Sequence, residues 1–345
     1  MKQTRNEFID FMRGIAMLLV VLGHTMTGCT IGAEESFLFN IVWSLQMPMF
    51  ILISGYVSRY SRGISDISDL IKFVKRRTIA YLLPWFVWSF IVRGIILGEN
   101  NFLNIEWLLW HMDSGYWFLS TIWIISMIFG VSIFVAKKLA QNSDTKQQLI
   151  TLILYVAGMV LLAGVGLVAG FSFLAIKLTL YYMPFYFAGY LYGKYRDKIF
   201  EKKWGKKTVD VVVAICLVVW LFIMKRFSLY ALPDSGMAIL LRAGASVTGC
   251  VAVCGLCKGS FNNNVQSTLW RGLLRWCGVH SLEIYLTHSL LLSLLKMAET
   301  PLAASLQGTT LMISNYILTV VLTLFVVKLI NSHKLLNLVL YGNKG

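Results

Sequence analysis

Residues 8–28 read FIDFMRGIAMLLVVLGHTMTG. A helix rises about 1.5 Å per residue, so this stretch is long enough for the ~30 Å hydrocarbon core of a bilayer. Three ionisable residues, Asp10, Arg13 and His24, interrupt its apolar run. Lys2 and Arg5 precede the stretch, and Met26-Thr-Gly-Cys29 closes it in the manner of a lipoprotein signal. A cleavable apolar region carries no such charges, so the segment is read as a retained first membrane helix.

The rest of the chain extends that reading. Of 345 residues, 57% are hydrophobic and 14% charged, more apolar surface than one soluble core can hide. Runs of membrane-spanning length lie near 8–28, 38–58, 78–98, 116–136, 148–169, 172–192, 208–224, 237–257, 279–296 and 309–330. These predict an all-α integral membrane protein, a bundle of about ten transmembrane helices, as a single membrane domain over 1–345. The Trp-rich run Ile105–Trp110 is flanked by charge and fits an interfacial segment. The chain shows no internal repeat and no soluble domain.

The net charge of +15 does not point to nucleic acid, because the bases occupy short segments between apolar runs. With a cytoplasmic N-terminus, the inner loops carry Arg59, Arg62, Lys72, Lys75, Arg76 and Arg77, then Lys137, Lys138 and Lys146. Lys194, Arg196, Lys198, Lys202, Lys203, Lys206 and Lys207 follow, then Lys258, Arg271 and Arg275. The opposite loops hold Glu34, Glu35, Glu99, Glu106, Asp113, Asp234 and Glu299, with few bases beyond Lys225 and Arg226. The positive-inside rule then places both termini in the cytoplasm. The basic loop around 193–208 reads as a topology determinant near anionic lipid. Cys216, Cys250, Cys254 and Cys277 lie in or beside apolar runs and outline no disulfide framework. Cys250-x3-Cys254-x2-Cys257 lacks a fourth ligand nearby, so no metal is expected.

Ionisable groups inside membrane helices usually face a cavity or a partner. Arg13 and His24 are eleven residues apart, three turns plus about 20°, so they share one face of their helix ~16 Å apart. Asp10, one turn earlier, can pair with Arg13. The ninth span carries Glu283 and His288 in Ser281-Leu-Glu-Ile-Tyr-Leu-Thr-His288. Five residues separate these two, which aims them in different directions and leaves Glu283 for His280 or another helix. Arg93, Lys177 and Arg242 sit toward outer helix ends and can snorkel. Imidazole is the side chain best suited to moving a proton near neutral pH, so the two mid-membrane histidines are the leading catalytic candidates.

Several motifs, in order, resemble a known family. Phe8 to His24 resembles the opening Arg-x10-His helix of acyltransferase-3 proteins. Met47-Pro-Met-Phe-Ile-Leu-Ile-Ser-Gly-Tyr56 is similar to their second-helix motif, and Phe73-Val-Lys-Arg-Arg-Thr-Ile-Ala-Tyr-Leu-Leu-Pro84 to the basic approach to the third. Gly115-Tyr-Trp-Phe-Leu119 looks like the start of the fourth, and Ser281 to His288 like the fucose-acetylase-like branch. Two positions depart from the pattern. Ala80 stands where Arg-x-x-Arg would place a second arginine after Arg77, and Gln46 stands where many relatives have histidine.

The resemblance implies O-acyl transfer, usually of acetyl from acetyl-CoA or another acyl-CoA, to a hydroxyl of a cell-envelope glycan or lipid-linked sugar. It implies a multi-pass protein of the bacterial cytoplasmic membrane. On this reading Arg13, Lys75, Arg76 and Arg77 hold the coenzyme A phosphates, with Ser54 and Tyr56 adding neutral hydrogen bonds. His24 is the general base, His288 and Glu283 complete the catalytic set, and Trp117 and Phe118 can stack on a sugar ring or belong to the interfacial aromatic belt. The competing reading of the same composition is a transporter or exporter of a polysaccharide precursor.

Overall fold

Asn6 starts the first helix, α1 (Glu7–Cys29), by accepting with its side chain from the backbone N–H groups of Phe8 and Ile9 at 3.1 and 3.3 Å. Asp66 caps α3 (Ile67–Phe86) and Ser143 caps α6 (Asp144–Ala169) in the same way. The computed structural model describes residues 6–59, 63–112, 115–141, 143–200, 206–262, 269–295 and 300–343. Lys2, Arg5, Arg62, Asp113, Lys202, Lys203 and Glu299 lie outside the described residues. The remaining helices are α2 (Phe37–Ser58), α4 (Ile105–Trp110), α5 (Trp117–Leu139), α7 (Ile176–Phe200), α8 (Lys206–Arg226), α9 (Gly236–Asn262), α10 (Leu269–Val279), α11 (Ser281–Leu294), α12 (Leu306–Asn331) and α13 (Lys334–Tyr341). Among the described residues there is no sheet, only an isolated bridge between Ile31 and Leu302.

Among the described residues, eight helical segments are long and apolar enough to cross a bilayer: 7–29, 37–58, 67–96, 117–139, 144–169, 207–226, 236–258 and 306–331. Their outward faces are bare hydrocarbon, as on α6, where Val160, Leu161, Leu167 and Val168 are all exposed. Water would penalise such a surface and lipid does not. The protein is an all-α integral membrane protein. Two further predicted spans also form helices. Residues 172–192 fall largely in α7, and 279–296 in α11, which runs for only 14 residues because His280 breaks it from α10. The short α4 has six residues, far too few to cross, as its interfacial reading requires.

The chain divides into two compact units. The first comprises residues 1–56 and 189–329. Its decisive contact joins α1 to α10. A Cβ on Gly14 would collide with the Leu274 carbonyl, and one on Gly278 with the Asp10 carbonyl. Two backbones therefore touch directly, the close approach that small residues permit between membrane helices. Further along, Gly28 packs on Leu292 of α11, so α1 and the α10–α11 pair run parallel in one register. In the same unit, Gly189 lies against the Leu52 carbonyl, and Trp220 Nε1 donates to Ser44 Oγ at 3.1 Å. Asn315 Nδ2 of α12 donates to Cys29 Sγ at 3.2 Å.

The second unit comprises residues 57–188 and 330–345. Pro84 has no N–H to offer the carbonyl four residues back, and three residues later α3 continues as a π-helical stretch, Val87–Ile96. Phe73 of α3 fills the space over Gly130 of α5, and Trp123 Nε1 donates to Thr78 Oγ1 at 3.1 Å. Helix α13 was absent from the sequence expectation. It docks on α3 through Trp88, whose Nε1 donates to the Leu340 carbonyl at 2.7 Å and whose ring stacks on Tyr341.

A methyl group at the α1–α10 contact should force the backbones apart. Gly278→Ala is expected to destabilise the protein by about 1–3 kcal/mol, the usual range for overpacking. Gly244→Ala, which meets open space, is expected to be neutral or stabilising. Thermal unfolding in detergent checks both, and equal midpoints for the two variants contradict the contact.

Candidate functional site

Every candidate catalytic side chain belongs to the first unit. Helix α1 is unbroken from Glu7 to Cys29, so it holds Arg13 and His24 on one face as the spacing predicts. Helix α11 is buried on nearly all sides, with Glu283, Ile284, Tyr285, Leu286, Thr287 and His288 all inside. Both histidines stand ten residues beyond the glycines at the helix crossing (24 − 14 and 288 − 278), a rise of about 15 Å on each. They therefore meet. Their ring centroids are 5.3 Å apart at an interplanar angle of 44°.

The two rings differ in surroundings. His288 is 1% exposed, and its Nδ1 donates to the Ile284 carbonyl at 2.9 Å. A carbonyl only accepts, so that bond places the proton on Nδ1 and leaves the lone pair on Nε2. Nε2 is buried and has no hydrogen-bond partner among the described residues. His24 keeps open surface between buried Gly23 and Thr25, although protein surrounds it at longer range. Neither ring nitrogen of His24 is held by a hydrogen bond among the described residues, so the imidazole is available to a ligand.

Glu283 does not join this pair. It is 4% exposed, and its Oε1 lies 3.2 Å from His280 Nδ1, the partner its spacing suggested. Trp276 packs on the far side of His280, with centroids 4.4 Å apart. The carboxylate thus anchors the break between α10 and α11. Ser54 Oγ donates to the Phe50 carbonyl of its own helix at 2.8 Å. Tyr56 is buried, and its hydroxyl accepts from Arg196 Nη1. That arginine had been read only as a loop charge.

The basic cluster of the second unit is not uniform. Lys75 and Arg76 are exposed. Arg77 turns inward, donates from Nη1 to the Tyr81 hydroxyl at 3.0 Å and lies over the Phe73 and Tyr81 rings at 5.4 and 5.8 Å. Its Nε is buried without a partner, and no carboxylate meets it among the described residues. A membrane cation left in this state suits an anionic ligand. Trp117 stacks on Tyr182 at 5.6 Å, which occupies one ring face, and Phe118 is buried. Arg93 and Arg242 serve structure: Arg93 pairs with Glu99 at 2.7 Å, while Arg242 holds the Leu229 carbonyl and Asp234.

All six cysteines are free, and no group of three or more His, Cys, Asp or Glu among the described residues can hold a metal ion. A polar residue that the sequence reading noted only as a departure, Gln46, lies against Gly23, beside His24. Its signal was available, since an amide in the middle of an apolar helix is costly unless it has work to do.

Comparison with known proteins bears on this arrangement directly. The sequence model of a family described as "Acyltransferase domain", acyltransferase-3, matches residues 6–331. The chain belongs to the acyltransferase-3 family. The chain is thus a multi-helix membrane protein of a family described by acyl transfer. A curated relative, the nodulation protein NolL of Sinorhizobium fredii, is 24% identical over 131 residues, covering 32% of this chain and 35% of NolL. The match thus spans about a third of that relative's length. No solved structure matches the chain.

The His280–Glu283 pair should behave as one unit. His280→Ala and Glu283→Ala are each expected to cost about 1–3 kcal/mol of stability, since each removes the bond between them. The double variant should cost little more than the worse single one. Strictly additive losses in a thermal-unfolding cycle would separate the two residues.

Proposed function

We propose that this acyltransferase moves an acyl group, acetyl in the simplest case, from cytoplasmic acyl-CoA to a hydroxyl of an envelope glycan or lipid-linked sugar. The observation that carries the reading is the His24–His288 pair: two imidazoles in a membrane protein, one with a free ring and one with a fixed, unused lone pair. A hydroxyl needs a base to become a competent nucleophile, and imidazole supplies one near neutral pH.

In the proposed step, a ring nitrogen of His24 takes the acceptor hydroxyl's proton as its oxygen attacks the thioester carbonyl carbon. The new C–O bond forms, the C–S bond breaks, and the coenzyme A thiolate leaves and recovers the proton from the His24 imidazolium. His288 Nε2 accepts a hydrogen bond from the acceptor and orients it. Glu283 acts through His280 as a positioning residue. Each unit holds its own candidate cations for the phosphates of coenzyme A. In the first unit these are Arg13, with Ser54 and Tyr56 adding hydrogen bonds. In the second they are Lys75, Arg76 and the inward Arg77, whose uncompensated guanidinium is the strongest single support. Trp117 and Phe118 are assigned to the sugar ring. The positive-inside distribution supports a bacterial cytoplasmic membrane with both termini inside.

The test is transfer from radiolabelled acetyl-CoA in membranes with and without the protein, followed by identification of the labelled product. His24→Ala is expected to lower transfer by about 10²–10⁴-fold, the usual contribution of a general base, at unchanged expression. Normal incorporation in that variant removes the base assigned here.

A further inference from the structure

Gln46 lies on α2, two residues before Pro48, and its side chain reaches across to α1. Its Oε1 is 2.8 Å from where a Cβ on Gly23 would stand, and Val42 Cγ1 closes on the same spot at 3.2 Å. The glycine leaves the room that the carboxamide uses. Oε1 is buried and has no hydrogen-bond partner among the described residues. The next residue along α1 is His24, and beside His24 stands the equally unpartnered Nε2 of His288.

Leaving a buried acceptor unmade costs about 1–3 kcal/mol, so such groups usually await a partner. Both atoms here are acceptors: Oε1 by its nature, Nε2 because the proton sits on Nδ1. Each is satisfied by a group that brings a hydrogen-bond donor. The acyl end of a thioester has none, since its carbonyl oxygen also accepts. A sugar presents several hydroxyl donors a few ångströms apart.

We propose that Gln46 is a binding residue for the acceptor, taking a hydrogen bond from a second hydroxyl beside the one that is acylated. This assignment rests on the acyl-transfer reading above.

Full-length protein in detergent, radiolabelled acetyl-CoA and a glycolipid extract of the host membranes provide the test. Gln46→Leu is expected to raise the extract concentration giving half-maximal transfer about tenfold, and to leave that for acetyl-CoA within about twofold. Gly23→Ala puts a methyl group where the carboxamide rests. Only the flexible end of Gln46 must move, so this variant should fold and show the same split. Gln46→Glu, which keeps the oxygen, should stay closer to wild type, and with Gly23→Ala it decides the matter should Gln46→Leu fail to fold. If acceptor dependence is unchanged, as it would be were Oε1 merely solvated by a fixed water, the assignment is overturned. A shift in the acetyl-CoA dependence alone overturns it as well. Wild-type protein that transfers no label brings down the acyl-transfer reading itself, and this assignment with it.

Discussion

The contact of Gly14 with the Leu274–Gly278 turn governs the first unit. Two helix backbones meet there with no side chain between them, and the register so fixed runs up both helices. Within lipid there is no hydrophobic gain from bringing helices together, so close packing of small residues has to supply the attraction. Ten residues beyond the crossing, the same register brings two histidines to a centroid distance of 5.3 Å. A slip of one residue would rotate either ring by about 100° and separate them.

What the pair does follows from the unequal treatment of its members. His288 is fixed by the Ile284 carbonyl and sealed from solvent, whereas His24 has open surface and no bond to restrain it. One imidazole is thus engaged by a backbone carbonyl, next to another whose ring makes no hydrogen bond among the described residues. Glu283, which is five residues from His288, is occupied by His280 and steadies the break that lets α11 start afresh beside α1. Polar groups that lipid would penalise are gathered in the histidine pair and at the α10–α11 break, and such groups in membrane proteins usually face a partner or a cavity.

Much of this was legible in the sequence. The spans at α1, α2, α3, α5 and α6 follow from apolar runs of bilayer length. The common face of Arg13 and His24 follows from helical periodicity, and the separation of Glu283 from His288 from the same arithmetic. Other features depended on tertiary contact. Helix α13 is too short to register as a span and exists because Trp88 and Tyr341 pack together. Arg77 differs from Lys75 and Arg76 only because Phe73 and Tyr81 draw it inward, which charge counting cannot reveal. The meeting of His24 with His288 joins residues 264 positions apart (288 − 24). Spacing within one helix says nothing about a distance of that kind; the two glycines that set it look unremarkable until the backbones are seen to touch.

His24 is proposed to take the proton of the hydroxyl that attacks the acyl group of a bound donor. An experimental structure with an acyl-CoA analogue in which the thioester sulfur is replaced by methylene tests it most directly. The account predicts the analogue's carbonyl carbon close to His24, with space for a hydroxyl oxygen at about 3–3.5 Å from that carbon. An analogue bound with its carbonyl remote from α1, and a His24 ring that faces only lipid, would contradict it.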